Sequence, residues 1–345
     1  MRPSFYPRLV NGPFDDPALF VPFFFEKRAL LFDMGDLHSL APKELLKITH
    51  CFVSHTHMDH FVGFDTLLRI FLGRNNTLHI FGPAGFLQNV EGKLAGYTWN
   101  LVENFDHNFV LKATEVHAQY TLTRVYRCSE AFAPNQPPER APFDGTLLKE
   151  PFFSVETTLL DHNTPCLAFK LSERFHVNIL KDRLKKLGIP VGPWLRRFKE
   201  ALYQERDPEG DFEATWKEGG KERKTTFCLG DLARQIAHIS PGQKMVYVVD
   251  AVFSPENARK IIDIARDADQ LFIEAAFLHA QADVARRKYH LTARQAGMLA
   301  RKAGVKSLTV FHFSPRYLNT PSLLEKEARE AFLTASTGSD GMQGG

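Results

Sequence analysis

No stretch of this 345-residue sequence comes near the roughly 20 consecutive apolar residues that a membrane-spanning helix needs. A helical membrane protein is therefore not expected, and neither is a membrane partner. The opening residues, MRPSFYPRLVNGPFDD, carry Pro, Gly and Asp where a secretory leader would have an unbroken apolar run and a small-residue cleavage site, so a cytoplasmic location is expected. Cysteine is scarce: Cys51, Cys128, Cys166 and Cys228 stand far apart with no C-x-x-C pair, which argues against a disulfide frame or a thiolate zinc site. Charge of one sign is lacking too. A net charge of +3 points to no partner by itself, so only its local distribution can inform.

What is present is an alternation of two periodicities. Short β-branched and aromatic runs, at 20–34, 51–55, 77–82, 152–160, 166–171, 244–250, 271–276 and 308–313, predict strands. Between them GFDTLLRIFLGR, ENARKIIDIARDA, TARQAGMLARKAG and SLLEKEAREAFL repeat apolar residues every three or four positions, the pattern of a helix with one buried face. The chain is thus expected to be α/β, with no internal repeat. Residues 174–199 stand apart: eight Lys or Arg face the single acid Asp182, and the mixed polar stretch 200–224 that follows offers little core material. This region reads as an insertion. The last residues, from 334 to 345, lack apolar content and are expected to be a disordered tail.

Residues 54–60 read SHTHMDH, three histidines and an aspartate between the predicted strand CFVSH and the predicted helix GFDTLLRIFLGR. H-x-H-x-D-H arises by chance in roughly one such chain in a thousand. Imidazole mixed with carboxylate favours zinc or a similar divalent ion, whereas an all-oxygen set would favour magnesium or calcium. Two ions need more ligands than one loop offers. His162 in LLDHNTP, Asp250 in VVDA and His312 in VFHFSPRY each end a predicted strand, which is where α/β enzymes build their sites. Eight of the 14 histidines have no such context.

SHTHMDH followed in order by LDH, YVVD, FIEAAF, KYHLTARQA and HFSPRY resembles the metallo-β-lactamase superfamily, and within it the ribonuclease Z (tRNA 3′-processing endonuclease) family, from about Leu31 to Tyr317. The resemblance implies an αββα sandwich, two mixed sheets with helices on both outer faces. A single domain over 1–333 would be interrupted by a basic arm at 172–243. The resemblance also implies two zinc ions, with manganese or iron as alternatives: His55, His57 and His162 would hold one, Asp59, His60 and His312 the other, and Asp250 would bridge them. Asp33 in LLFDMG would support the loop from behind, and Asp59 would also help to hold or deprotonate the attacking water. Glu274 and His290 match the family's acid and imidazole pair, in which the histidine protonates the leaving oxygen.

The implied activity is an endoribonuclease that removes the 3′ trailer of precursor tRNA. KKLGIPVGPWLRRFK stands where the family carries its Gly/Pro-rich arm, and Lys185, Lys186, Arg196 and Arg197 would grip tRNA phosphates. Family members of this size often form homodimers. The sequence departs from the family at Met58, Val249, Ala251 and Ala276. A small-molecule metallo-hydrolase of the same fold, acting on a phosphodiester, sulfate ester or lactone, would need the metals and not the arm. An RNA-binding protein without turnover would not need the complete ligand set.

Overall fold

The computed structural model describes residues 4–24, 26–102 and 108–334; the expected tail, apart from Thr334, and His107 lie outside them. Eight strands follow one another across the first sheet: β1 (Arg8–Leu9), β2 (Leu19–Pro22), β3 (Ala29–Phe32), β4 (Ile48–Phe52), β5 (Thr77–Pro83), β6 (Val110–Val116), β7 (Tyr120–Arg127) and β8 (Glu139–Pro142). The central strands β3 to β6 are parallel and the flanking pairs antiparallel, so the sheet is mixed. The second sheet takes β9 (Thr146–Lys149), β10 (Phe153–Asp161) and β11 (Pro165–Glu173). After an excursion holding β12 (Phe175–Ile179), β13 (Asp211–Glu218), β14 (Lys221–Cys228) and β15 (Ala237–Pro241), it takes β16 (Lys244–Val248), β17 (Gln270–Glu274) and β18 (Leu308–Phe311). Its order is β18-β17-β16-β11-β10-β9, with β16, β17 and β18 parallel.

Side chains alternate across each strand, and here both faces are buried. From β3 and β4, Leu31 and Cys51 point to the helix layer that holds Phe64, Leu67, Leu68 and Phe71, while Phe32 and Phe52 point the other way. Those two rings meet Phe169 of β11 at 5.6 and 5.8 Å, and Phe32 lies 6.1 Å from Tyr247 of β16, so aromatic rings fill the space between the sheets. On the far side Val246, Val248, Leu271 and Ile273 pack under the helices Pro255–Ala265 and Ala293–Lys302. Layers of helix, sheet, sheet and helix result. The helices expected at 63–74, 256–268, 292–304 and 322–333 are found at Phe64–Phe71, Pro255–Ala265, Ala293–Lys302 and Pro321–Leu333.

One expected strand is corrected. Residues 20–34 form a hairpin, β2 against β3 with Leu19 opposite Phe32, and not a single strand. The turn contains no Gly, Pro or Asn; it is closed by the Phe23 N–H donating to the Arg28 carbonyl at 3.1 Å and by an Arg28–Glu26 ion pair at 2.7 Å. The polar reading of 200–224 is corrected as well.

The chain divides into two compact units. The smaller takes Ser4, Leu148–Ser154 and Ser172–Gln243, and the larger takes the remaining described residues. Within the smaller unit β12 pairs antiparallel with β15, and β13 with β14. Glu218 faces Lys221, leaving Gly219 and Gly220 as a two-residue turn in which both φ values are positive, 58° and 77°. Glycine adopts that turn without strain. Alternation along β13 turns Phe212 and Ala214 inward, where they join Trp194, Phe198, Leu229, Leu232 and Ile236 in a core of the unit's own. The many charges on the exposed strand β14 hid this core from a composition-based reading.

Candidate metal centre

Six turns at the carboxyl ends of strands in the larger unit carry the chemistry. Asp33 follows β3, the SHTHMDH loop follows β4, His162 follows β10, Asp250 follows β16 and His312 follows β18, while Glu274 is the last residue of β17. Asp33, Asp250 and His312 adopt left-handed backbone with φ of 58°, 50° and 60°. Each such residue without a Gly costs roughly 1–3 kcal/mol unless its surroundings enforce it. The loop itself turns into a short helix, Met58–Phe61, that buries His60 and Phe61. Gly63 then runs so close to Gly35 that a Cβ would lie 2.2 Å from the Gly35 carbonyl oxygen, which presses the loop against the Asp33 turn.

The predicted ligands converge. His55, His57, His162 and Asp250 offer ligand atoms that all lie within 4.8 Å of one another, and so do those of Asp59, His60 and His312. One oxygen of Asp250 lies 3.2, 3.1 and 3.5 Å from the Nε2 atoms of His55, His60 and His162; its other oxygen lies 3.1 Å from His312 Nδ1 and 3.4 Å from His290 Nδ1. A single buried carboxylate thus touches both groups. Asp59 Oδ2 stands 3.4 Å from both His60 Nε2 and His312 Nε2. His57 is exposed, as is Met58 beside it, which leaves this side open to solvent.

The outward nitrogens of several rings are fixed by bonds behind them. His60 Nδ1 bonds Asp33 Oδ2 at 2.8 Å, and the same carboxylate accepts from the Ser54 N–H (2.6 Å), the Ser54 hydroxyl (2.9 Å) and the Tyr247 hydroxyl (2.9 Å). His162 Nδ1 donates to the Tyr289 carbonyl at 2.8 Å. His55 Nδ1 has the Ser54 hydroxyl at 3.1 Å. Such bonds set the ring tautomer and aim Nε2 at the cluster. The resemblance implies Asp33, whereas Ser54, Tyr247 and the Tyr289 carbonyl escape the sequence reading, although Ser54 opens the SHTHMDH motif and Tyr247 opens YVVD.

Among the described residues, four buried atoms at the point of convergence, His55 Nε2, His60 Nε2, Asp250 Oδ1 and His312 Nδ1, find no hydrogen-bond partner. Leaving one such group unsatisfied costs about 1–3 kcal/mol, so four together need a compensating ligand. The donor set, imidazoles plus carboxylates, is the chemistry that divalent transition metals take; against their burial, Asp250 and Asp33 raise His60 well above its ordinary pKa and Asp250 and Asp59 raise His312 to about 9, so ligation there displaces their protons. Burial pushes the pKa values of His55, His57 and His162 down, keeping these rings neutral as ligation requires. Burial opposes the charge of Asp250, but His312, His60, His290 and His55 outweigh it and hold the carboxyl well below its usual range. The residues present fit a divalent metal.

Glu274 and His290 meet beside this cluster. Glu274 is fully buried; it accepts the Ala251 N–H at 2.7 Å and bonds His290 Nδ1 at 2.8 Å. Burial disfavours the His290 cation, yet Glu274 and Asp250 outweigh it and raise its pKa to about 10. The imidazole is therefore a proton donor at neutral pH, with Nε2 left for a substrate.

The four arm residues lie in the smaller unit, all exposed. Lys185 and Lys186 end the helix Lys181–Lys186. Arg196 and Arg197 lie on Trp194–Tyr203, where Arg196 pairs with Glu200 at 2.8 Å and Arg197 donates to the Thr215 hydroxyl at 2.5 Å.

The sequence is 30% identical over 295 residues to the ribonuclease Z of Deinococcus radiodurans, spanning 84% of this chain and 83% of that protein. It is also 30% identical over 317 residues to the ribonuclease Z of Halalkalibacterium halodurans, spanning 90% of this chain and 85% of that protein. Among solved structures, the metallo-β-lactamase fold protein YhfI from Bacillus subtilis superposes with a TM-score of 0.53 at 16% identity, covering 95% of this chain and 94% of that one. At that identity the likeness speaks for the fold, which is the αββα sandwich of that class. No family model matches the sequence.

Proposed function

This chain belongs to the ribonuclease Z family, and on that footing we propose that it is a metal-dependent endoribonuclease that removes the 3′ trailer of precursor tRNA. The observation that carries the reading is the His290–Glu274 pair, at 2.8 Å, set against the histidine and aspartate cluster. His55, His57 and His162 would hold one zinc ion, Asp59, His60 and His312 a second, and Asp250 would reach both. Ions bound there supply Lewis acidity, which lowers the pKa of a water and neutralises charge developing on phosphate.

The chain's own residues do the rest. Asp59, only half-buried, is placed to hold or deprotonate the attacking water. Asp33, held by Ser54 and Tyr247, keeps His60 aimed inward. Glu274 holds the His290 proton on Nδ1, so that Nε2–H of the imidazolium faces the departing ribose oxygen and donates to it. Phosphorus–oxygen cleavage in that direction leaves a 3′-hydroxyl on the tRNA and a 5′-phosphate on the trailer. Lys185, Lys186, Arg196 and Arg197 would contact tRNA phosphates. Among the described residues no helix is long and apolar enough to cross a membrane; a cytoplasmic homodimer completes the reading, checked by sedimentation of the purified protein.

The test is incubation of the zinc-loaded protein with a 3′-extended precursor tRNA and, separately, with a small chromogenic phosphodiester, with sequencing of both product ends. Cleavage at the trailer junction with the stated ends is the expected result. Turnover of the small ester alone would replace this reading with a small-molecule hydrolase.

A further inference from the structure

The segment that bears His290 is built in an unusual way. The helix Ala282–Arg287 ends in a pair of hydrogen bonds, the Tyr289 N–H to the Arg286 carbonyl at 3.1 Å and the His290 N–H to the Ala285 carbonyl at 2.9 Å. That pair is a Schellman closure, in which the residue at the Tyr289 position must be left-handed and is usually glycine. Tyr289 has φ of 61°. Two residues beyond His290 the next helix begins: Thr292 caps it by accepting the Gln295 N–H, and the Ala293 N–H donates to the Phe277 carbonyl at 2.8 Å. His290 and Leu291 are thus a two-residue link between one helix closure and one helix cap.

The left-handed turn does two things at once. It swings the Tyr289 carbonyl onto His162 Nδ1, and it sends the next side chain, His290, onto Glu274. The His162 and His290 rings end 5.1 Å apart. We infer that Tyr289 is a positioning residue whose backbone, and not its phenol ring, orients a metal ligand and the proton donor together. The part of this inference that concerns His162 stands on geometry alone; the part that concerns the proton donor rests on the function proposed above.

The inference is tested with a series at position 289 ordered by tolerance of left-handed backbone: Tyr289→Gly and Tyr289→Asn, which adopt it readily, Tyr289→Phe, which keeps the ring type, and the β-branched Tyr289→Ile, which resists it. Cobalt(II) titration of the metal-free protein, followed by visible absorption, reads the His162 half without any substrate. The Gly and Asn variants are expected to bind cobalt at least as well as wild type, Phe to equal it, and Ile to lose roughly tenfold, the scale seen when a hydrogen-bond partner of a metal ligand is disturbed. The ratio of tRNA cleavage to hydrolysis of an ester with an acidic phenol reads the His290 half, and should fall in the Ile variant alone. If Gly and Asn lost cobalt affinity while Phe kept it, the ring would be the working part and the inference would be wrong. Thermal destabilisation of the Ile variant with unchanged cobalt affinity would overturn it too. A wild type that bound cobalt but left tRNA intact would sink the proposed function and leave the metal half of the series valid.

Discussion

Charge is handled in opposite ways in two regions of this molecule. At the histidine and aspartate cluster, four imidazoles and Asp250 are driven together below the surface, with four polar atoms that find no partner among the described residues and at the cost of left-handed backbone at Asp33, Asp250 and His312. In the smaller unit most charge stays in water, the buried Glu173–His176 pair aside, and part of it is paired: Arg196 with Glu200, Arg223 with Glu218, Lys224 with Glu213 and Arg234 with Asp231. Of the four arm residues Lys185, Lys186 and Arg197 are exceptions, for which no acidic partner is found among the described residues. The first arrangement is costly without a ligand and position-specific. The second is cheap, tolerant and additive. Loss of one group should therefore be catastrophic in the cluster and graded in the arm.

The largest effect is expected from Asp250→Ala. A carboxylate that approaches both ligand groups sets their spacing, so elemental analysis should show metal loss beside near-complete loss of turnover. Retention of two zinc ions with normal rates would remove Asp250 from the site and break the contrast at its centre.

Next in size is His290→Ala, which should keep its metal and lose roughly 10²- to 10⁴-fold in tRNA cleavage, the usual worth of a general acid. Hydrolysis of an ester with an acidic phenol leaving group, which needs no proton, should suffer far less. Glu274→Ala should show the same dependence more weakly. Equal slowing of both substrates in His290→Ala would recast this histidine as an electrostatic clamp on phosphate.

The arm should respond by degrees. Replacing Lys185, Lys186, Arg196 and Arg197 with Ala should weaken precursor-tRNA binding and make its salt dependence shallower by roughly one unit of slope for each cation that touches phosphate, with small-ester hydrolysis unaffected. Lys185, Lys186 and Arg197, which have no acidic partner, should each account for more of the change than Arg196, which Glu200 offsets. A loss shared by both substrates would mean that these residues support folding.

The smallest effect is a pH limb. His290 is raised to about 10 because Glu274 and Asp250 outweigh its burial, so it is the cation, and an acid, below that value. Its contribution is complete at low pH and is lost as pH rises through the folded-state pKa, by about tenfold per unit beyond it. A metal engaging Asp250 would withdraw part of that support and move the limb below 10. Rate–pH profiles for tRNA cleavage should show an alkaline fall that vanishes in His290→Ala; a persistent fall would assign it elsewhere.

The legible and illegible parts of the sequence divide along physical lines. That SHTHMDH joins a larger cluster was legible because three histidines and an aspartate in seven residues are rare by chance, and His162, Asp250 and His312 were legible because each stands at the end of a predicted strand; the structure brings their ligand atoms together. The hairpin at 19–32 could not, since aromatic residues run into its turn, no Gly lies there, and Pro22 falls inside β2 with apolar residues on both sides. The core of the smaller unit was hidden because Phe212 and Ala214 alternate with acids and pair with a strand of exposed charges. Tyr289 was invisible for a deeper reason. Its contribution is a carbonyl oxygen and a backbone angle, which no side-chain pattern encodes.

Asp59 and His312 lie 3.4 Å apart in space and 253 positions apart in the chain. Because synthesis runs from the amino terminus, a ribosome exposes the SHTHMDH loop long before the strand that ends at His312 exists. Until then the half-made cluster has histidines but lacks their farthest partner. Completion of the Asp59, His60 and His312 group is thereby a late event, open only to a chain whose last parallel strand has docked, whereas the His55, His57, His162 and Asp250 group needs nothing beyond Asp250. The long span works as a completeness check written into connectivity.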